Sequence, residues 1–403
     1  MLPPTPAATI AFKSPNACNL CHTDRDAAWA DRFVREWRPR DYQAPVLERA
    51  RLIDAARRDD WSKLPDMLAY LARPDRDEVF ANSLVRLLRN CDDDRKWPAL
   101  VEALKDASPL IRASAADGLI GHFTPEAIAA LLAATRDDYR LVRMRAAASL
   151  AGLPAQTLTP ADRASLEKAT ADFVRVMMAR PDDHASHYNL GNYYMSRREY
   201  KRAIECFETA SRLQPDSIPP LVNVSLAYNA VGQNDRAEES LRKALRLDPA
   251  NAAANLNLGL LLAEMDRLGE AETVLRAAFK SDPRSAVSAY NLGVILAKDR
   301  PDEAIDWCRR AHELRPLEPK YAYTYAFYLR AKGELNRAIE TLEPLVRQGS
   351  SFADAYSLLG QLYEEIGRNT SAIDTYRRAL AIPDLDPRER YQFEARMLAL
   401  SGE

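Results

Sequence analysis

Two cysteines and a histidine near the start of the chain stand at a spacing that can do chemistry. In Cys18-Asn19-Leu20-Cys21-His22 the two thiols can add to the vinyl groups of a porphyrin, and the adjoining imidazole can bind its iron. The segment therefore predicts one covalent haem c, with Cys18 and Cys21 as attachment points and His22 as an axial ligand. A structural zinc needs four ligands, and no second Cys or His pair stands nearby. A thioredoxin-type dithiol needs a βαβ setting, which a helical chain does not offer. Cys91, Cys206 and Cys308 lie far apart on helical patterns and read as small buried hydrophobes, with no disulfide framework. No distal iron ligand is evident: His122 falls at a helix end, His187 on a packed face, and His184 and His312 on solvent-facing positions.

A second constellation is a row of carboxamides. Asn189, Asn223, Asn257 and Asn291 recur at intervals of 34 residues. A carboxamide both donates and accepts, so it can pair with a peptide unit whatever side chain stands next to it. The plain alternative is that Asn is simply frequent at this place in the repeat. Farther on, Tyr321, Tyr323, Tyr325, Phe327 and Tyr328 crowd one helix. Tyr325 and Tyr328 align with interior places of the repeat, whereas Tyr323 and Phe327 align with groove-facing ones and are the better candidates for contact with a partner. No Ser-His-Asp set, carboxylate pair or phosphate loop stands out, so an enzyme is not expected.

The elements that position these residues are repeats. From residue 184 a period of 34 carries Leu190, Gly191, Tyr194, Ala203, Phe207, Ala210 and Pro215 into Val224, Ser225, Tyr228, Ala237, Leu241, Ala244 and Pro249, and then into Leu258, Gly259, Leu262, Ala271, Leu275, Ala278 and Pro283. The small residue lets two helices approach closely, and the proline ends the second helix. A fourth unit (Leu292, Gly293, Leu296, Ala304, Cys308, Ala311, Pro316) has one residue fewer in its turn. A fifth is degenerate, and a sixth returns with Leu359, Gly360, Tyr363, Ala372, Tyr376 and Ala379. This pattern resembles the tetratricopeptide repeat (TPR) family over roughly half the chain. The resemblance implies paired helices, and it implies that the Asn row faces the groove, as a similar row does in O-linked N-acetylglucosamine transferases, where the amides grip an extended peptide's backbone.

Upstream, Asp106, Ile111, Arg112, Ala115, Ala116 and Leu119 recur after 31 residues as Asp137, Val142, Arg143, Ala146, Ala147 and Leu150, which resembles short HEAT repeats. Ala169, Phe173, Val176 and Pro181 fit the second helix of a unit whose first is missing. Tyr391, Ala395 and Leu398 share one face of a last, capping helix. The expected order is a linker (1–13), a haem attachment segment (14–40), HEAT-like repeats (41–158), a half-repeat junction (159–183), six TPR repeats (184–386) and a capping helix (387–403). The fold class is all-α, an α-solenoid.

Composition narrows the partners. The 403 residues are 47% hydrophobic and 28% charged with a net charge of -2, so there is no basic stripe for nucleic acid, and no run reaches membrane-spanning length. A protein or an extended peptide is the expected partner. The segment from Ser14 to Trp29 resembles the haem segments of multihaem c-type cytochromes, some of which continue into HEAT and TPR repeats. That resemblance implies a periplasmic or extracytoplasmic electron-transfer protein with a redox partner. The first nine residues lack the basic and apolar regions of a secretion signal. Two readings follow: the C-terminal part of a longer cytochrome, or a haem-free cytoplasmic scaffold.

Overall fold

The computed structural model describes residues 4–38 and 40–401, and every long element in it is an α-helix. Residues 1–3, 39, 402 and 403, which belong to the expected linker, haem segment and cap, lie outside the described residues. The chain falls into two compact units, Met1–Cys206 and Phe207–Glu403.

In the first unit, short helices stack in pairs from Ala44–Arg57 to Arg140–Ser149. Their starts are written locally. The side chains of Ser108 and Thr124 accept from the amides of Ile111 and Ala127, and Pro109 and Pro125 follow in the first turn, where no amide donor is needed. Leu64, Met67, Leu84, Leu88, Leu100, Leu119 and Leu131 are all buried, as their spacing requires. The period-31 arginine ties each repeat to the next. Arg112 donates to the carbonyls of Asp106 and Ala107 and forms a two-point ion pair with Asp137. One period later Arg143 donates to the carbonyls of Asp137 and Asp138 and pairs with Asp172. The junction is a single 19-residue helix, Pro160–Met178, packed against both Arg140–Ser149 and His184–Ser196.

The expected linker contains a helix, Pro6–Phe12, which packs on Ala27–Trp37 and Ala44–Arg57. The buried amide of Gln43 holds it, accepting from the Ala7 amide at 3.1 Å and donating to Asp31 at 2.8 Å. Pro6 starts this helix, at a position where proline is tolerated.

The second unit continues the paired helices through Ala353–Glu365 and Asn369–Ala379. Close approach is literal at Gly293: a Cβ there would overlap the Cys308 sulfur and lie 3.1 Å from the Ala304 carbonyl. The turn between the helices of a repeat uses a left-handed residue, Gly232, Asp266, Gly333 and Gly367 in this unit, with Arg198 in the equivalent place of the first. The fourth TPR repeat, one residue shorter, has none there. Glu238 and Arg267 (2.6 Å) link consecutive repeats across the surface, as do Glu208 and Arg236 (2.7 Å).

The last helix, Pro387–Ser401, packs in a different register from the one expected. Phe393, 5.8 Å from the Tyr376 ring, is buried with Met397 and Leu400 beside it, whereas Tyr391 and Leu398 are exposed. Both triplets have helical spacing. The face with the aromatic ring that meets Tyr376 is the one turned inward.

Candidate functional site

Cys18 and Cys21 sit on a five-residue helix, Ala17–Cys21, whose start is capped by the Asn16 side chain accepting from the Asn19 amide. A second bond, from Asn19 to the Arg25 carbonyl at 2.8 Å, folds the following turn back on the helix. Both thiols are free; Cys18 is half-buried, and Cys21 and His22 are exposed. The His22 imidazole lies 4.9 Å from the Trp29 ring, Trp29 lies 5.0 Å from Phe33, and Phe33 lies 5.8 Å from Trp37. This aromatic stripe runs along Ala27–Trp37, whose flanking face buries Ala30 and Val34. Trp37 is 70% and Leu20 73% exposed, so an apolar surface is left open beside the thiols. Among the described residues no three His, Cys, Asp or Glu side chains converge as a metal chelate. A haem fits this donor set better than a closed zinc site, because only His22 would reach the iron while the thiols attach to the porphyrin edge.

Three of the other four histidines are engaged. His122 stacks on Trp97 at 3.9 Å, and the His187 ring bonds the Pro181 carbonyl at 2.9 Å. His312 was expected to face solvent; instead it is half-buried, stacked on Tyr325 at 5.8 Å, and burial pushes its pKa down. Burial likewise raises the thiols of Cys206 and Cys308, to about 11 and about 12, which makes both poor nucleophiles.

The Asn row lies on the first helices of successive repeats. Asn189 is exposed in the first unit, and Asn223, Asn257 and Asn291 are half-buried in the second. The Asn291 amide donates one N–H to the Val287 carbonyl at 2.8 Å, which leaves its second N–H and its oxygen for a partner. Tyr323 and Phe327 stack on each other at 6.3 Å, and Phe327 is 47% exposed. Tyr325 is buried and Tyr328 partly buried.

A second row was not anticipated. Three residues after Asn223, Asn257 and Asn291 stand Leu226, Leu260 and Val294, and in the next repeat Phe327 holds the same place. Leu226 and Val294 are 43% and 40% exposed. The signal was in the sequence, as an apolar residue one helical turn beyond each amide.

Tetratricopeptide repeat profiles match residues 184–217, 228–290 and 327–388, and a HEAT repeat profile matches 64–151. These segments of the chain are HEAT and tetratricopeptide repeats. A TPR repeat-containing protein of Methanocaldococcus jannaschii, MJ0940, is 36% identical over 82 residues, which is 20% of this chain and 26% of that protein. Among solved structures, pilF of Pseudomonas aeruginosa aligns at 22% identity, covering 54% of this chain and 99% of its own, with a TM-score of 0.46. YrrB, a TPR protein with an unusual peptide-binding site, aligns at 22% identity over 47% of this chain and 99% of its own, with a TM-score of 0.40. TPR repeats of this kind form scaffolds for protein–protein interaction, and no helix among the described residues is long and apolar enough to cross a membrane.

Proposed function

We propose that the TPR repeats of the second unit hold an extended peptide of a partner protein, and that the N-terminal segment of the same chain carries a covalent haem. The observation that carries the first part is the pairing of two rows on the same helices, carboxamides at Asn223, Asn257 and Asn291 and apolar side chains at Leu226, Leu260 and Val294, with Phe327 continuing the apolar row in the next repeat. An extended peptide offers both a polar backbone and apolar side chains, and two parallel rows recognise both at once. Tyr323 backs Phe327 and is itself held edge-on by Phe352 at 5.6 Å, which gives the apolar row a rigid end.

The second part rests on Cys18, Cys21 and His22 standing at an open apolar surface. When bound there, a haem would supply one-electron chemistry. Cys18 and Cys21 would fix its edge, His22 would bind its iron, and Trp29 would hold the imidazole plane. In this reading the protein works outside the cytoplasm as an electron-transfer scaffold that brings a redox partner to the haem. The test is to export the chain in a host with haem maturation enzymes and record a reduced pyridine-haemochrome spectrum. Haem bands that disappear in Cys18→Ser/Cys21→Ser support the haem. A wild-type chain without bands leaves a haem-free scaffold.

A further inference from the structure

In the first unit the helices Glu78–Leu87, Pro109–Gly118 and Arg140–Ser149 pack side by side. Val79, Leu110 and Leu141, each the second residue of its helix and 31 residues apart, are 69%, 48% and 42% exposed. A single exposed aliphatic residue is ordinary, but the same place exposed in three successive repeats makes an apolar row. Val79 also borders a groove of about 610 Å³, lined with Phe12, Pro15 and Ala17 at the foot of the cysteine helix. Arg57 and Ser83 line that groove and an adjoining cavity of about 320 Å³.

The adjoining cavity is basic. Arg57, Arg86 and Arg89 line it with one acid, Asp117. Asp117 is shared between Arg89 (3.5 Å) and Arg145 (3.3 Å), while Arg57 and Arg86 have no acidic partner among the described residues. The acid of the larger groove, Asp54, is bonded to Arg58. An excess of guanidinium beside an apolar row is complementary to carboxylates interspersed with apolar side chains.

We propose that this face of the HEAT repeats is a second docking surface, taking an acidic segment of a partner protein. Its apolar side chains rest on Val79, Leu110 and Leu141, and its carboxylates meet Arg57 and Arg86. This surface is separate from the TPR groove and needs no haem.

The probe is a fluorescein-labelled peptide of repeated Glu-Glu-Leu triplets, titrated against the full chain by anisotropy, with Lys-Lys-Leu and Glu-Glu-Ser peptides as controls. The Glu-Glu-Leu peptide binds, and the lysine peptide does not. Arg57→Glu/Arg86→Glu weakens binding about tenfold or more, and Val79→Ser/Leu110→Ser weakens it by a similar factor at unchanged helix content. All four residues are solvent-accessible, so both variants fold. Equal binding of the acidic and basic peptides, or unchanged affinity in both variants, overturns the proposal. So does equal binding of Glu-Glu-Ser with full displacement by inorganic phosphate, which marks a small-anion site.

Discussion

The indole of Trp29 lies 4.9 Å from the imidazole of His22, the two rings tilted by 54°, seven residues apart across a turn. This contact ties the exposed histidine to the helix that follows it. A ring-current shift is its signature. The His22 ring protons should resonate upfield of those of a free histidine in the wild-type chain and move back toward the free value in Trp29→Leu. Identical spectra would mean that the contact does not persist in solution.

Asp137 and Arg112 couple two HEAT repeats by bonds of 2.7 and 2.9 Å, with both side chains largely buried. Burial pushes the Asp137 carboxyl up, but bonds from Arg112 and the Tyr139 amide outweigh it and hold the group below its ordinary value. A carboxyl held low in the native state adds stability that is complete above its unfolded value, about 4, and is lost as pH falls through the lower native value. Asp137→Asn should therefore cost roughly 1–3 kcal/mol at neutral pH, measured by urea unfolding, and the gap to wild type should close in acid. A gap independent of pH would remove the charge from the explanation.

The left-handed turn residues give a reciprocal pair. Gly232 has φ of 76° and Arg198, at the equivalent place one repeat earlier, 58°. Glycine adopts this conformation freely, whereas other residues are strained in it. Gly232→Ala should lower stability by about 1 kcal/mol and Arg198→Gly should raise it by about 0.5 kcal/mol. Thermal unfolding of both variants checks the signs, and an Arg198→Gly chain less stable than wild type would refute the strain at that turn.

The repeats were legible because packing a helix pair against the next imposes strict places for small and large residues, and the periods of 34 and 31 write those places directly. What could not be read was the choice between equivalent helical faces. Tyr391, Ala395 and Leu398 have the same spacing as Phe393, Met397 and Leu400, and the contact between Phe393 and Tyr376 decides between them. His312 turned inward for a similar reason: its place on the second helix meets Tyr325 of the following repeat. The helix Pro6–Phe12 was hidden because the group that holds it, the buried amide of Gln43, stands 36 residues from Ala7. At the candidate site the amide row was visible by its unusual residue type. The apolar row beside it was masked, since Leu and Val read as core until exposure separates them.

The paired rows of the second unit carry the central claim, and one titration tests it. Peptides selected from a random library on the wild-type chain are measured by calorimetry against Asn223→Ala/Asn257→Ala/Asn291→Ala. Each lost carboxamide removes a net hydrogen bond of about 1 kcal/mol, so the three together should weaken binding by about a hundredfold, while the thermal midpoint stays close to wild type. Unchanged affinity in a folded triple variant would show that the amide row does not hold the peptide.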